Sequence, residues 1–298
     1  MARSGLVLAL ALGAAAACHR GPRAAGSLLV ERPYRVQLPA RVDPARPLPV
    51  VVLLHGLGAT AAWQSDYFML GPLADAKGFL LALPDGTRGA GADRFWNGTD
   101  ACCDFDGLGV DDVRYLDALL DDVSAHHRVD PKRVYLIGFS NGGFMAHRFA
   151  CERAARVAGF ASVAGAGWMD ASRCRPSEPV AALQVHGDAD AVVFYQGGFL
   201  GGGLPRRAPY PSARGSLEPW LRRDRCHPPA DADAAGAAAL PPLDLNADVA
   251  GAETTRQRWD CAAAAVELWT VHGGGHVPRL SPGWAEALWS FLSAQAKP

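Results

Sequence analysis

The sequence contains, in the chain order serine, aspartate, histidine, the three residue types that nucleophilic catalysis requires. Ser140 lies in VYLIGFSNGG, Asp190 lies in LQVHGDADAVV, and His276 lies in VELWTVHGGGHVP. A serine hydroxyl is a weak nucleophile at neutral pH, so a histidine must accept its proton and a carboxylate must orient the imidazole ring. These residues predict acyl transfer, with Ser140 as nucleophile, His276 as base and Asp190 as the orienting carboxylate.

The motif around the serine, Gly-x-Ser-x-Gly, is weak by itself because the chain contains 33 glycines among 298 residues. Its context is more informative. The apolar run 133–139 predicts a buried strand, and apolar residues at helical spacing follow from Gly142. Gly138 and Gly142 would let the strand and the helix approach closely while Ser140 is exposed at the corner. The alternative is a turn serine without chemistry.

Asp188 is the alternative to Asp190 as the carboxylate, and His272 is the alternative to His276 as the base. We favour Asp190 over Asp188 because it lies further past the end of a strand, where the loop can turn towards His276. His272 is also close to the position required of the base. We expect His272 to end the last strand, whereas three glycines before His276 form a flexible turn. A solvent-facing loop histidine is the alternative for His276.

Acyl transfer passes through a charged tetrahedral intermediate, which requires hydrogen-bond donors. The segment VVVLLHGLGAT offers the amide of Leu57, and the residue after the nucleophile offers the amide of Asn141. A tight exit from the strand also explains the glycines of this segment. We further expect Trp96 and Asn97 to line the substrate pocket, with a core position as the alternative for the tryptophan.

Strand-like and helix-like segments alternate along the chain. We predict strands at 28–38, 50–55, 79–84, 133–139, 159–163, 180–186 and 266–271, and helices at 62–77, 110–127, 142–154, 217–223 and 282–294. This alternation predicts an α/β fold, in which a mostly parallel central sheet is covered by helices on both faces. Ligands bind such sheets at the carboxyl ends of the strands, which is where Ser140, Asp190 and His276 lie.

The composition is that of an ordinary globular protein. The formal net charge is −1, hydrophobic residues make up 49% of the chain and charged residues 20%. Because no run of Lys or Arg occurs, we expect no nucleic-acid partner. We predict one catalytic domain over residues 28–298, active as a monomer without a cofactor, with a loosely packed insertion near 228–252 and a mobile segment at 197–215.

The N-terminal residues depart from globular composition and predict export. Arg3 precedes the apolar run GLVLALALGAAAA, which is too short to span a bilayer, and Cys18 follows three alanines. We interpret residues 1–18 as a signal peptide, with lipidation of Cys18 as the only membrane attachment. Ordinary cleavage near Ala17 is the alternative. Either reading predicts a secreted or periplasmic protein.

Six further cysteines predict disulfide bonds in an exported protein. We expect Cys226 to pair with Cys261, which would close the polar stretch between them, and Cys151 to pair with Cys174. The adjacent cysteines 102 and 103 are left without an assigned partner. A metal or redox centre at these thiols is the alternative, but no histidine at ligand spacing accompanies them, so we expect no metal site.

Several segments together resemble a known enzyme family. They are LLHGLGAT, LPDGT, FWNGTDACCD, GVDDVRYL, VYLIGFSNGGFMAHRFAC, HGDADAVVFYQGG and GGGHVP. This combination resembles the secreted esterases that include polyhydroxybutyrate depolymerases and bacterial feruloyl and acetylxylan esterases. The resemblance extends from about Tyr34 to the C-terminus.

The resemblance implies an α/β-hydrolase fold, hydrolysis of carboxylic esters without a metal, and a catalytic triad at Ser140, Asp190 and His276. It thus agrees with the roles assigned from the residues alone. The competing class of function is a non-catalytic, hydrolase-fold surface lipoprotein that binds a ligand, which a missing member of the triad would have indicated.

Overall fold

A computed structural model describes residues 25–91, 93–200, 208–226 and 237–298. The expected signal peptide and Cys18 lie outside these residues, as do residues 201–207 of the expected mobile segment and residues 228–236 of the expected insertion. No helix in the described ranges is both long enough and apolar enough to cross a membrane.

The centre of the fold is a nine-stranded sheet. Its strands are β1 (Tyr34–Gln37), β2 (Leu48–Leu54), β3 (Leu80–Pro84), β6 (Val129–Phe139), β7 (Gly159–Val163), β8 (Ala181–Gly187), β9 (Ala237–Leu243), β10 (Thr254–Trp259) and β11 (Val266–Val271). The order across the sheet is β1-β3-β2-β6-β7-β8-β11-β10-β9. Two short strands, β4 (Thr87–Arg88) and β5 (Arg94–Phe95), form a separate ribbon.

The six central strands, from β3 to β11, are parallel to one another. At one edge β1 is antiparallel to β3, and at the other edge β10 and β9 are antiparallel. The central strands are apolar and almost entirely buried, as expected when both faces of a parallel sheet are covered. The predicted α/β-hydrolase architecture, with a mostly parallel sheet, is therefore confirmed.

Helices cover both faces of the sheet. They are α1 (Ala25–Glu31), α2 (Ala61–Tyr67), α3 (Leu70–Lys77), α4 (Asp112–His126), α5 (Asn141–Glu152), α6 (Glu218–Arg223) and α7 (Trp284–Ser293). Successive residues of β2 point to opposite faces: Val50 and Val52 pack with α4, α5 and α6, whereas Val51 and Leu53 pack with α3 and α7. The core thus consists of two apolar layers separated by the sheet.

The prediction of one strand over 28–38 was wrong. Residues 25–31 form α1, whose Leu28 and Leu29 pack against the core, and β1 begins only after Pro33. Proline cannot donate a backbone hydrogen bond and disfavours helical geometry in the residue before it, so it separates helix from strand.

The prediction of a loose insertion near 228–252 was also wrong in part, because residues 237–243 form strand β9. This strand pairs with β10, which the sequence analysis did not recognise. Pro241 and Pro242 interrupt the strand-like pattern. They are tolerated because β9 is an edge strand and its register with β10 shifts near them. In the expected mobile segment, Tyr210 is buried and exchanges two backbone hydrogen bonds with Gly198.

Three disulfide bonds are present in the described residues. Cys151 pairs with Cys174 and Cys226 pairs with Cys261, as predicted from the sequence. The two cysteines without an assigned partner, Cys102 and Cys103, are bonded to each other. All six thiols are therefore used in disulfides.

Candidate active site

Ser140 occupies a sharp turn between β6 and α5. Its backbone has φ 52° and ψ −118°, a conformation that costs a non-glycine residue on the order of 1–3 kcal/mol. The neighbouring glycines make this turn possible: a Cβ on Gly138 would collide with the backbone of Gly142, and a Cβ on Gly142 with the carbonyl of Leu54. The tight approach of strand and helix exposes the serine hydroxyl at the carboxyl edge of the sheet.

The other two expected residues meet Ser140 at this edge. Asp190 follows β8, His276 follows β11, and these strands are neighbours in the sheet. His276 Nε2 lies 3.0 Å from Ser140 Oγ, and His276 Nδ1 donates a hydrogen bond of 2.7 Å to Asp190 Oδ2. The structure thus brings all three side chains into one hydrogen-bonded chain.

The Asp190 carboxylate is fully buried and well supplied with donors. The amides of Val192 and Val193 donate to Oδ1 at 2.8 and 3.0 Å, and His186 Nε2 lies 3.4 Å from Oδ2. Burial raises the pKa of Asp190, but hydrogen bonds from His186 and His276 outweigh this effect and hold the pKa well below its usual range. Asp190 is therefore an anion at neutral pH. Sequence reasoning missed His186, which ends the apolar strand.

The competing residues Asp188 and His272 form a pair of their own. His272 Nδ1 donates to Asp188 Oδ2 at 2.8 Å, and the amide of Gly273 donates to Asp188 Oδ1 at 2.7 Å. Both side chains are more than one-third exposed. Neither forms a hydrogen bond with Ser140 or His276. The structure therefore contains two separate Asp–His pairs, and only Asp190–His276 is hydrogen-bonded to Ser140.

The amides expected to stabilise an oxyanion border the serine. Within the described residues, the amides of Leu57 and Asn141 have no hydrogen-bond acceptor. The buried side chain of Asn141 fixes its position, because Oδ1 accepts from the Trp96 amide at 2.7 Å and Nδ2 donates to the Trp96 carbonyl at 2.8 Å.

A buried histidine fixes the loop that carries Leu57. His55 Nδ1 donates to the carbonyl of Gly56 at 2.7 Å, and its Nε2 accepts from the amide of Gly86 at 2.9 Å. Burial lowers the pKa of His55, which keeps the ring neutral and suits these two roles. The Trp96 indole also donates to the His55 carbonyl, at 3.1 Å.

The structure contradicts the expected place of Trp96 in the substrate pocket, and Asn97 is not among the described residues that line the cavity beside Ser140. Trp96 has no exposed surface and packs in the core, where its backbone and indole hold Asn141 and His55. The Asn97 side chain donates to the carbonyl of Val110 at 2.9 Å. Trp96 therefore takes the alternative role of a core residue, because its polar groups all find partners inside the protein.

Residues 33–174 match the family model described as Esterase PHB depolymerase.

Over these residues the chain is similar to that family.

The matched residues include Ser140 and end before Asp190 and His276. A curated relative, feruloyl esterase D of Neurospora crassa, is 26% identical over 305 residues, which cover 93% of this chain and 89% of the relative. The bifunctional acetylxylan esterase/xylanase XynS20E of Neocallimastix patriciarum is 30% identical over 55% of this chain and 22% of its own length. The chain spans less than half the length of several curated relatives.

Solved structures support the fold over most of the chain. Acetyl xylan esterase from Aspergillus awamori aligns with a TM-score of 0.61 and 13% sequence identity, over 87% of this chain and 93% of that one. At this low identity the likeness concerns the fold. It covers more of the chain than the segment matched by the esterase family model.

A cavity of about 550 Å³ opens beside Ser140 and His276. Its lining consists of residues 56–60, Trp63, Phe139, Ser140, His276 and Val277. Trp63 is 49% exposed, and its ring stacks on Tyr67 with a centroid distance of 5.2 Å. The Tyr67 hydroxyl donates to the carbonyl of Pro278 at 2.6 Å, which joins α2 to the loop after His276. Sequence reasoning missed Trp63, whose only signal was its position shortly after the Leu57 loop.

Proposed function

We propose that this chain hydrolyses carboxylic esters, with Ser140 as nucleophile, His276 as general base and acid, and Asp190 as the orienting carboxylate. One observation carries the proposal. Ser140 stands at a strained strand-to-helix turn, with its hydroxyl 3.0 Å from an imidazole that also donates to a buried carboxylate. A serine with a purely structural role does not require a strained turn together with a hydrogen-bonded histidine and carboxylate.

In the proposed reaction, His276 Nε2 accepts the Ser140 proton while Oγ attacks the ester carbonyl. The amides of Leu57 and Asn141 donate to the oxyanion of the tetrahedral intermediate; a single donor of this kind contributes about 3 kcal/mol. The imidazolium then protonates the leaving alcohol, and an acyl-enzyme remains on Ser140. Water repeats the sequence: His276 takes its proton, the acid is released and Ser140 recovers its hydrogen.

We propose neutral esters of short or aromatic acids as substrates, including acetyl and feruloyl esters and hydroxyalkanoate oligomers. Apart from His276, the described residues that line the cavity have uncharged side chains, so among them there is no cation to bind an acidic acyl group. The names of the relatives, feruloyl esterase and acetylxylan esterase, agree with these classes.

We further propose that the mature protein is exported and acts outside the cytoplasm, with Cys18 as the site of lipidation if the leader is that of a lipoprotein. Three disulfide bonds support an oxidising compartment. Mass spectrometry of the mature N-terminus tests both parts: a diacylated Cys18 supports the lipoprotein, and an unmodified start after residue 17 supports free export.

The decisive experiment compares wild type with Ser140→Ala on a short p-nitrophenyl ester. We expect the variant to remain folded and to lose several orders of magnitude in kcat. A variant that retains a tenth of the activity would exclude Ser140 as nucleophile. A folded wild type that binds esters without hydrolysing them would favour the non-catalytic, ligand-binding alternative.

Substrate range is tested by assaying methyl ferulate, acetylated xylan, hydroxybutyrate oligomers and a long-chain triglyceride under identical conditions. We expect hydrolysis of the soluble short-chain and hydroxycinnamoyl esters and little action on the triglyceride. A strong preference for the triglyceride would instead indicate a lipase.

A further inference from the structure

A second Asp–His pair joins the same two loops that carry Asp190 and His276. Asp188 lies two residues before Asp190, and His272 lies four residues before His276. The Asp188 carboxylate accepts two hydrogen bonds from the other loop, one from His272 Nδ1 at 2.8 Å and one from the Gly273 amide at 2.7 Å. The two carboxylates thus bind the same neighbouring loop, and only one of them is bound to the base.

Backbone contacts hold the two loops together at the same place. The amide of Ala189 donates to the carbonyl of Gly274 at 3.1 Å, and a Cβ on Gly187 would collide with Gly274. His272 is also held from the other side, because the Thr255 hydroxyl on β10 lies 3.0 Å from His272 Nε2. The chain is therefore well fixed as far as residue 274.

Between this fixed point and His276 the chain has little to hold it. Gly275 has no side chain, and the space around the position of a Cβ on this residue is empty. Gly273 adopts a positive φ of 69°, so the turn is built from the residues with the greatest backbone freedom. Yet His276 must meet Asp190 at 2.7 Å and Ser140 at 3.0 Å at the same time.

We propose that Asp188 is a positioning residue for His276. By binding His272 and Gly273 it fixes the start of the glycine turn against the loop that carries Asp190, and it thereby sets the distance from His276 to Ser140. This inference rests on the proposed function of Ser140 and His276. Misplacement of a catalytic group by about 1 Å can lower a rate by up to about 100-fold, so a restraint on this turn has a measurable effect.

The test measures kcat per active site for Asp188→Ala on a short p-nitrophenyl ester. Active sites are counted by complete reaction with a chromogenic phosphonate, in which Ser140 Oγ bonds to phosphorus and nitrophenolate leaves. Unfolded protein lowers the number of sites, whereas a misplaced base lowers the rate of each site. We expect kcat per site to fall about tenfold, with KM within about twofold of wild type.

Two further variants sharpen the comparison. Asp188→Asn retains an oxygen that accepts from the Gly273 amide, so we expect it to recover part of the lost kcat. Glu286→Gln is the matched control, since Glu286 is an exposed carboxylate bound to Lys77 at 2.7 Å and does not line the cavity. We expect the control to leave kcat per site unchanged.

An unchanged kcat per site in Asp188→Ala, or a change in KM alone, would overturn the inference while leaving the proposed function intact. If Asp188→Ala yields no folded protein, His272→Ala decides: it removes one of the two bonds, and we expect a loss of about threefold, with an unchanged value again contrary to the inference. A wild type without hydrolysis would instead contradict the proposed function itself.

Discussion

His276 Nδ1 donates a 2.7 Å hydrogen bond to Asp190 Oδ2, although 86 positions separate the two residues in the chain. The bond forms because Asp190 follows β8 and His276 follows β11, and these strands are parallel neighbours. We expect Asp190→Asn to lower kcat by about 10³- to 10⁴-fold, because the neutral amide neither orients the ring nor stabilises the imidazolium. Asp188→Asn should lose far less, and steady-state kinetics of both variants give the ranking. The reverse ranking would transfer the role to Asp188.

Trp63 forms an exposed wall of the cavity beside Ser140. We expect Trp63→Ala to lower kcat/KM for methyl ferulate about two- to tenfold relative to a methyl ester of a short aliphatic acid, because an aromatic contact contributes about 0.5–1.5 kcal/mol. Trp63→Phe should retain most of the preference. Phe105→Ala is the control, since Phe105 is 44% exposed and lies outside the cavity lining. An equal loss for both esters in Trp63→Ala would contradict a role in recognising aromatic groups.

Asp112 forms a buried ion pair below the segment that holds Asn141. Its carboxylate has no exposed surface, and it binds Arg32 Nη1 at 2.6 Å and the amide of Asn97 at 2.7 Å. Asp112→Ala leaves Arg32 without this partner, so we expect the free energy of unfolding to fall by about 3–5 kcal/mol. Denaturant unfolding measures this change. A loss below about 1 kcal/mol, as for a surface ion pair, would contradict it.

Asp224 is a fully buried carboxyl group at the end of α6. Burial raises its pKa to about 7, although Arg223 and Lys297 act in the opposite direction. The unfolded chain releases this proton near pH 4 and the folded protein holds it to about pH 7, so folding loses stability as the pH rises between these values. Asp224→Asn should therefore stabilise the protein relative to wild type increasingly from pH 4 to pH 7, by up to about 4 kcal/mol.

Thermal or denaturant unfolding of wild type and Asp224→Asn between pH 4 and pH 8 measures this difference. Asp248→Asn provides the control, because a hydrogen bond from Arg279 holds the pKa of the exposed Asp248 below its usual value. The effect of that substitution should be constant above about pH 5. A difference between Asp224→Asn and wild type that does not change with pH would contradict the raised pKa.

Much of the fold follows from local patterns in the sequence. Buried parallel strands are continuous apolar runs, so β2, β3, β6, β7, β8 and β11 were located within a few residues. The turn at Ser140 could be predicted from the sequence because only glycine fits at positions 138 and 142. By contrast, β9 is the edge strand and β10 is its neighbour. Both have exposed residues that break the apolar pattern, and prolines are tolerated in β9.

The sequence by itself determined the residue types of the candidate site, their chain order and their place after the ends of strands, because these features depend on local spacing. Only the tertiary structure decided that Asp190, and not Asp188, faces His276, and that Trp63, and not Trp96, lines the cavity. Asp188 and Asp190 lie two residues apart, and the direction of each depends on a loop contributed by another strand. These positions therefore depend on contacts between distant segments of the chain. Such contacts are set by the order of the strands and the packing of the core.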